Sequence, residues 1–342
     1  MNPGKHILVL RFSSMGDVAM TVPVIKAMLQ QNPDVAVTVA SRPAFAGFFD
    51  GIDRLHFFAV DLKNNYNGVG GIIKLYRAIN KSGVFDAVAD LHDILRSKVL
   101  RTLFRLSGRP IAFIDKGRDE KKALTQFPDK ILKPLKRTTE RYADVFRKLG
   151  LAVVLSDELV RQPELLSDEI KALTGDKTQP WIGITPFAQY NGKIFPLEKM
   201  EQVLAGLERE DVKVFLFGGT EMDKEICEQW ECKFANATST VRKLNMAQEL
   251  ALISNLNVML SMDSAGQHLA SLRGTPAVSI WGATHHYAGF LGYGQSEDNI
   301  VADSIECRPC SIYGNKPCFR KDYACMHNID PQAVVEQLLR FI

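Results

Sequence analysis

Residues 6–18 read His6-Ile7-Leu8-Val9-Leu10-Arg11-Phe12-Ser13-Ser14-Met15-Gly16-Asp17-Val18, an apolar run that gives way to a short polar loop. The run over 6–12 does not alternate strictly, as expected for a parallel strand covered on both faces. Ser13 and Ser14 are small and polar, and Gly16 permits a tight turn beside a ligand. Asp17 stands where a helix opens, and the positive end of a helix favours an ionised carboxylate. A plain N-cap role would account for Asp17 equally well. A strand that feeds a loop into a helix begins a βαβ unit, so the fold class is α/β. The Gly-x-Gly-x-x-Gly spacing of a dinucleotide fingerprint is absent.

The same rhythm continues outward. Residues 36–41, 55–60, 85–91 and 110–114 read as further strands, with helical patterns over 18–30, 72–81 and 94–106. A second set follows, with strands over 181–185, 213–217, 258–262 and 277–281 and helices over 197–208, 221–230, 247–253 and 266–273. At 342 residues the chain exceeds what one core usually organises. Two open α/β domains with mostly parallel sheets are therefore expected, over 1–160 and 178–330, with 331–342 as a closing helix that starts at Pro331. The polar stretch 156–179 reads as the linker, with room for a helix over 165–173. In such sheets, ligands bind at the loops leaving the carboxyl ends of the strands.

Four of those loops carry suitable chemistry. Met262-Asp263-Ser264-Ala265-Gly266-Gln267-His268 follows a strand and opens a helix, and its small residues let backbone N–H groups approach a phosphate. A capping Asp with a core His is the plainer alternative. Thr185-Pro186-Phe187-Ala188-Gln189-Tyr190-Asn191-Gly192-Lys193 brings a lysine to a strand exit, where it can neutralise phosphate as a mobile point charge or simply be solvated. Phe217-Gly218-Gly219-Thr220-Glu221 and Trp281-Gly282-Ala283-Thr284 place glycines at two more exits, and ordinary βα turns would look the same.

Composition sets the outer limits. Hydrophobic residues make up 46% and charged residues 24%, ordinary globular values. A net charge of +3 is too small to mark a nucleic-acid binder. Residues 93–148 nevertheless hold 16 Lys or Arg against 7 Asp or Glu, a surplus suited to an anionic partner. No apolar stretch approaches the ~20 residues of a membrane span, and residues 1–6 lack a signal-peptide core. A cytoplasmic protein is expected, with peripheral contact at the inner membrane left open.

Together, the R-F-S-S-M-G-D-V loop, the D-S-A-G-Q-H-L-A block and W-G-A-T resemble glycosyltransferase family 9, the bacterial heptosyltransferases of lipopolysaccharide core synthesis. The likeness extends over nearly the whole chain to C-x-x-C…C-M-x-x-I-x-P. It departs from the family at Ala283, where the family pattern G-P-T has proline. The resemblance implies a GT-B fold, two Rossmann-like domains facing across a cleft, with acceptor on the first and donor on the second. It also implies inversion at the sugar carbon without a catalytic metal or required cofactor. Asp17 would be the general base, with Ser13, Ser14, Met15 and Gly16 on the acceptor side. Lys193 would bind donor phosphate, with Ala188 and Gln189 beside it. Asp263, Ser264, Ala265, Gly266 and His268 would form the nucleotide-diphosphate loop. An acid after Gly218-Gly219 would hold the ribose, and Glu221, Asp223 and Glu225 all stay open for that role. The implied partners are an ADP-heptose-like donor and an anionic glycolipid acceptor. Two alternatives are a nucleotide-sugar epimerase of the same fold and a non-catalytic glycan- or nucleotide-binding relative. The first would have little use for the basic stretch, and the second would not need to keep Asp17, Lys193, Asp263 and His268.

Cys307, Cys310, Cys318 and Cys325 follow a C-x2-C-x7-C-x6-C spacing. Its first pair suits a structural zinc, and its second is wide for one. Free thiols packing a loop are the simpler expectation.

Overall fold

The computed structural model describes residues 4–342 apart from Glu210. The chain divides into two compact units, Met1–Lys116 with Thr138–Ser156, and Gly117–Arg137 with Asp157–Ile342. The first contains β1 (Lys5–Leu10), α1 (Met15–Ala19), α2 (Thr21–Gln31), β2 (Val35–Ser41), β3 (Leu55–Ala59), α3 (Gly68–Ser82), β4 (Ala87–Asp90), α4 (Leu95–Leu106) and β5 (Ile111–Phe113). Next in the chain comes α5 (Arg118–Thr125), which belongs to the second unit, and α6 (Thr138–Lys148) closes the first. The first sheet is parallel in the order β3-β2-β1-β4-β5. All seven residues of β2 and the last four of β1 are buried, which accounts for their unbroken apolar character. Leu8, Leu10, Leu75, Ile79, Val88, Leu100 and Phe104 join strands and helices in one core. Each such side chain contributes about 1.5–3 kcal/mol on burial.

The single helix expected over 18–30 is two helices meeting at Met20. Pro23 has no N–H to offer the Ala19 carbonyl, and the Thr21 hydroxyl donates to the Val18 carbonyl at 2.7 Å. The break leaves α1 as a short turn whose N-cap is Ser14, with Asp17 at its third position.

The second unit continues with α7 (Asp168–Thr174), β6 (Trp181–Thr185), α8 (Leu197–Gly206), β7 (Lys213–Leu216), α9 (Glu221–Lys233), β8 (Ala237–Ser239), α10 (Met246–Asn255), β9 (Val258–Met262), α11 (Ala265–Leu272), β10 (Ala277–Ile280), β11 (Ile300–Val301), α12 (Ala324–His327) and α13 (Pro331–Leu339). Its sheet is parallel in the order β11-β10-β9-β6-β7-β8. The division departs from contiguous domains at one place. Residues 117–137 side with the second unit, where the Leu135 N–H donates to the Tyr287 carbonyl at 2.8 Å. Lys130 there donates to the carbonyls of Glu306, Arg308 and Pro309 at 3.1, 2.9 and 3.3 Å. The closing helix α13 lies on α8, where a Cβ at Gly206 would come within 2.8 Å of Val335.

Both sheets have a switch point. In the first, the chain leaves β1 for β2 on one side and later adds β4 on the other. In the second, β6 stands between β7 and β9 in the same way. Crevices at the carboxyl ends of such strand pairs are where open α/β sheets bind ligands. No helix among the described residues is long and apolar enough to cross a membrane.

Candidate active site

At the first switch point, the loop leaving β1 meets the loop leaving β4. Arg11 is nearly buried; one guanidinium nitrogen donates to the Leu91 carbonyl at 2.7 Å and the other lies 2.6 Å from Asp17 Oδ2. The Ser14 hydroxyl donates to the same oxygen at 2.7 Å, and the Ser14 N–H at 3.4 Å. Burial opposes the charge on Arg11, but Asp17, aided by Tyr142 and Asp90, overrides it and raises the guanidinium pKa above its ordinary value. Asp17 keeps a quarter of its side-chain surface in contact with solvent, enough to meet a substrate.

The β4 exit adds a residue that the sequence reading missed. His92 is buried, its Nδ1 accepts the Phe12 N–H at 3.3 Å, and its ring meets Phe12 edge-on. Burial, followed by the charges of Arg11, Lys116 and Arg42, lowers its pKa to about 3. The imidazole is therefore neutral, and with Nδ1 accepting, the proton is assigned to Nε2. Fully buried Asp90 fixes this loop by accepting the His92 and Asp93 N–H groups at 2.9 Å each and Arg101 at 2.9 Å. The sequence signal was Asp90-Leu91-His92-Asp93 at a strand exit.

The basic surplus of residues 93–148 is partly structural. Arg101 is tied to Asp90 and Asp93 at 2.9 and 3.0 Å, and Arg147 to Glu140 and Asp144 at 2.8 Å each. Lys121 lies 4.4 Å from the Phe290 ring centroid, inside the second unit. The cations that bear on the first site are Arg11, Arg42 and Lys116.

At the second switch point, the β6 exit delivers Lys193 and the β9 exit delivers Asp263. Their charged groups are 2.8 Å apart, with 16% and 4% of the side chains exposed. Two glycines make this approach possible. The Gly192 carbonyl accepts the Ala283 N–H at 2.8 Å, and a Cβ on Gly192 would sit 2.8 Å from that of Ala283. Gly314, at φ +75°, presses on the Lys193 stem, where a Cβ would lie 2.5 Å from Cγ.

Helix α11 opens beside this pair. Ser264 is extended at the N-cap but makes no side-chain cap bond, while the Gln267 N–H donates to Ser261 Oγ at 3.0 Å. Gly266 lies flat on the strand ends, because a Cβ would fall 2.1 Å from Thr185 Oγ1. The first turn of α11 thus packs directly on the exits of β6 and β9, and the Ser264 N–H donates to the Met262 carbonyl at 2.6 Å. His268 is buried in the same turn, and Ala265 starts the helix. Ala188 is half-buried against the core, Gln189 is exposed, and Phe187 stacks parallel to Trp230.

The acids after Gly218-Gly219 separate by role. Asp223 accepts the Gly219 and Thr220 N–H groups at 2.9 and 3.0 Å, while its own N–H donates to Thr220 Oγ1 at 3.1 Å. That is a capping box, and it engages Asp223 Oδ2. Glu221 is exposed and pairs with Arg242, and Glu225 is exposed on α9. At the β10 exit, His285 and His286 stack with centroids 4.3 Å apart. Burial, then His286, Arg308 and Lys130, lowers the His285 pKa to about 3, so it is neutral.

The cysteine-rich segment buttresses that exit. The Cys310 and Ser311 N–H groups donate to the Ala283 carbonyl at 3.0 and 3.1 Å, and Arg308 donates to the Gly282 carbonyl at 2.6 Å. Among the described residues, no group of three or more His, Cys, Asp or Glu is placed to hold a metal, although Cys307, Cys310, Cys318 and Cys325 lie near enough for their charges to act on one another. Cys325 belongs to the apolar core, and burial raises its thiol pKa to about 12. Cys310 Sγ faces the Ala283 carbonyl at 3.8 Å, and Cys318 Sγ faces Asp322 at 3.9 Å.

Two parallel-sheet α/β domains with loop clusters at their switch points are the architecture of the GT-B class. Residues 72–318 match the sequence model of glycosyltransferase family 9 (heptosyltransferase), and the chain belongs to that family. The lipopolysaccharide core heptosyltransferase OpsX of Haemophilus influenzae is 24% identical over 304 residues, covering 87% of this chain and 84% of that protein. The family 9 glycosyl transferase of Veillonella parvula matches in structure with a TM-score of 0.75 at 18% identity, over 98% of this chain and 97% of that one. Escherichia coli heptosyltransferase WaaC, solved with ADP, matches with a TM-score of 0.67 at 18% identity, over 98% and 100%.

Proposed function

We propose that the protein moves a heptose from ADP-heptose onto a lipopolysaccharide-core or related glycolipid acceptor, inverting the anomeric carbon and using no catalytic metal. The observation that carries this reading is the Lys193–Asp263 pair beside the side-chain-uncapped start of α11, in a family 9 chain. The names of its relatives, and the ADP held by WaaC, support the donor class.

The chemistry follows from charge. As the bond to the diphosphate breaks, negative charge develops on the leaving oxygen. Lys193 and the first-turn amides of Ala265 and Gly266 stabilise that charge, the part a metal plays elsewhere. A carboxylate repels phosphate, so Asp263 is suited to aligning Lys193 and accepting hydroxyls of the sugar. The ribose falls to an acid after Gly218-Gly219: Asp223, whose Oδ2 caps α9, Glu221, which pairs with Arg242, or Glu225. In the first domain, the acceptor hydroxyl gives its proton to Asp17. Arg11, 2.6 Å away, holds that carboxylate in place for the transfer, and the hydroxyl acidifies as attack proceeds. Arg11, Arg42 and Lys116 provide the positive field for an anionic acceptor. The reaction is placed in the cytoplasm, where a nucleotide-sugar donor is available.

A thermal-shift panel of ADP-heptose, ADP, UDP and GDP tests the donor. ADP compounds raise the melting temperature of the wild type by mass action, and uniform behaviour across the panel would refute the assignment.

A further inference from the structure

Helix α4 has two apolar faces. Ser97, Leu100 and Phe104 face the core. Leu95, Val99, Thr102 and Leu106, spaced four, three and four residues apart, form a second stripe that faces water, with Leu95 and Leu106 each 80% exposed. Such spacing places all four on one side of the helix. The packed neighbour α3 adds Val69 and Ile73, the former 76% exposed. Isolated exposed apolar residues are ordinary, whereas a stripe over two adjacent helices marks an interaction surface.

The charge around the stripe selects the partner. Helix α3 carries Lys74, Arg77 and Lys81, helix α4 carries Arg96, Lys98, Arg101 and Arg105, and neither contains an acid. Asp90 and Asp93 engage Arg101 and Lys98. Lys74, Arg77, Lys81 and Arg105 are exposed on these two packed helices. Large apolar side chains ringed by cations without acids are the pattern of a helix lying in an anionic headgroup layer. The helix begins at Leu95, three residues after His92, so one end of the stripe adjoins the first switch point.

We propose that the outer face of α4, with the first turns of α3, docks on an anionic lipid bilayer and holds the first domain against the surface that carries the lipid-linked acceptor. This deepens the acceptor reading above and gives the membrane-anchored substrate a reason to be met at a surface.

The test is co-sedimentation of the full chain with vesicles of phosphatidylglycerol and phosphatidylethanolamine, compared with phosphatidylcholine alone. Binding to the anionic vesicles, weakened by salt, is expected, with little binding to the neutral ones. Leu95→Ser/Leu106→Ser lowers that binding about tenfold through lost apolar burial, and Arg96→Gln/Arg105→Gln about tenfold through lost attraction. Both variants transfer sugar to a delipidated, water-soluble acceptor at the wild-type rate. Absent or lipid-indifferent binding, or variants that bind as the wild type does, would overturn the proposal. So would a wild-type dimer in ultracentrifugation that the Leu95→Ser/Leu106→Ser variant disperses, since the occupant would then be a second copy. If soluble transfer fails in the wild type while the vesicle results stand, the fault lies in the acceptor reading and not in the docking surface.

Discussion

Removing Lys193 should cost both stability and donor binding, and the two losses can be separated. Lys193→Ala leaves Asp263, whose side chain is 4% exposed, without the ammonium that stands 2.8 Å away. Leaving one partner of a buried ion pair unpaired costs about 3–5 kcal/mol. Lys193 keeps 16% of its surface in water, which argues for the lower end, about 3 kcal/mol. At roughly 2–4 °C per kcal/mol for a domain of this size, the melting temperature falls by about 6–12 °C. The double variant Lys193→Met/Asp263→Asn removes both charges and keeps the packing of the stem, so it recovers most of that loss. If Lys193 holds the diphosphate, the recovered double variant still lacks the stabilisation by ADP, which for the wild type reaches about 2.7 kcal/mol at a hundredfold excess over Kd. Differential scanning fluorimetry with and without ADP reads both effects. A single variant that melts within about 1 °C of wild type, or a double variant no better than the single one, would refute the coupling. A double variant that responds fully to ADP would refute the donor role.

The other expectations concern neighbouring groups. Gly314→Ala forces a Cβ into a φ of +75° and to within 2.5 Å of the Lys193 stem, so it destabilises by about 1 kcal/mol or more and raises the KM for the donor. Asp17→Asn keeps donor affinity in titration calorimetry but lowers kcat by about two to four orders of magnitude, and near-normal turnover would remove Asp17 from the mechanism. Stability should also depend on pH in a defined window. His92 and His285, at about 3 when folded against 6.5 otherwise, each leave the unfolded chain binding an extra proton below pH 6.5. Glu249, raised by burial from 4.5 to about 7, binds its extra proton in the folded chain and opposes them. For these three groups the balance is one proton, a loss of at most about 1.4 kcal/mol per pH unit as pH falls from 6.5 towards 4.5, and His6 and His286, whose pKa values burial also lowers, add to it. In urea titrations, Glu249→Gln removes the opposing group and steepens this loss; a shallower dependence would contradict the assignment.

The strands of both sheets were legible because two-sided burial demands unbroken apolar runs, and β6 and β9 span the expected residues. Strands β8 (Ala-Thr-Ser) and β11 (Ile-Val) were not, since two or three residues give no pattern. Helix α5 is largely polar, with only Lys121 and Leu124 buried, so it left no apolar period to read. Helix α6 does carry Tyr142, Val145 and Phe146 at helical spacing, but its basic residues drew the reading toward charge. In the site, Lys193 and Asp263 were each visible at a strand exit. Their pairing depends on β6 lying next to β9, a neighbourhood that only topology supplies. His92 was missed because its neutral state comes from burial and from Arg11 and Arg42, which are distant in sequence.

The most direct test is to incubate the protein with ADP-heptose and a lipopolysaccharide-core acceptor and to determine the product's new linkage by mass spectrometry and NMR. One added heptose with anomeric configuration opposite to that in the donor is predicted. A retained configuration, or ADP-heptose hydrolysed without transfer, would contradict the account.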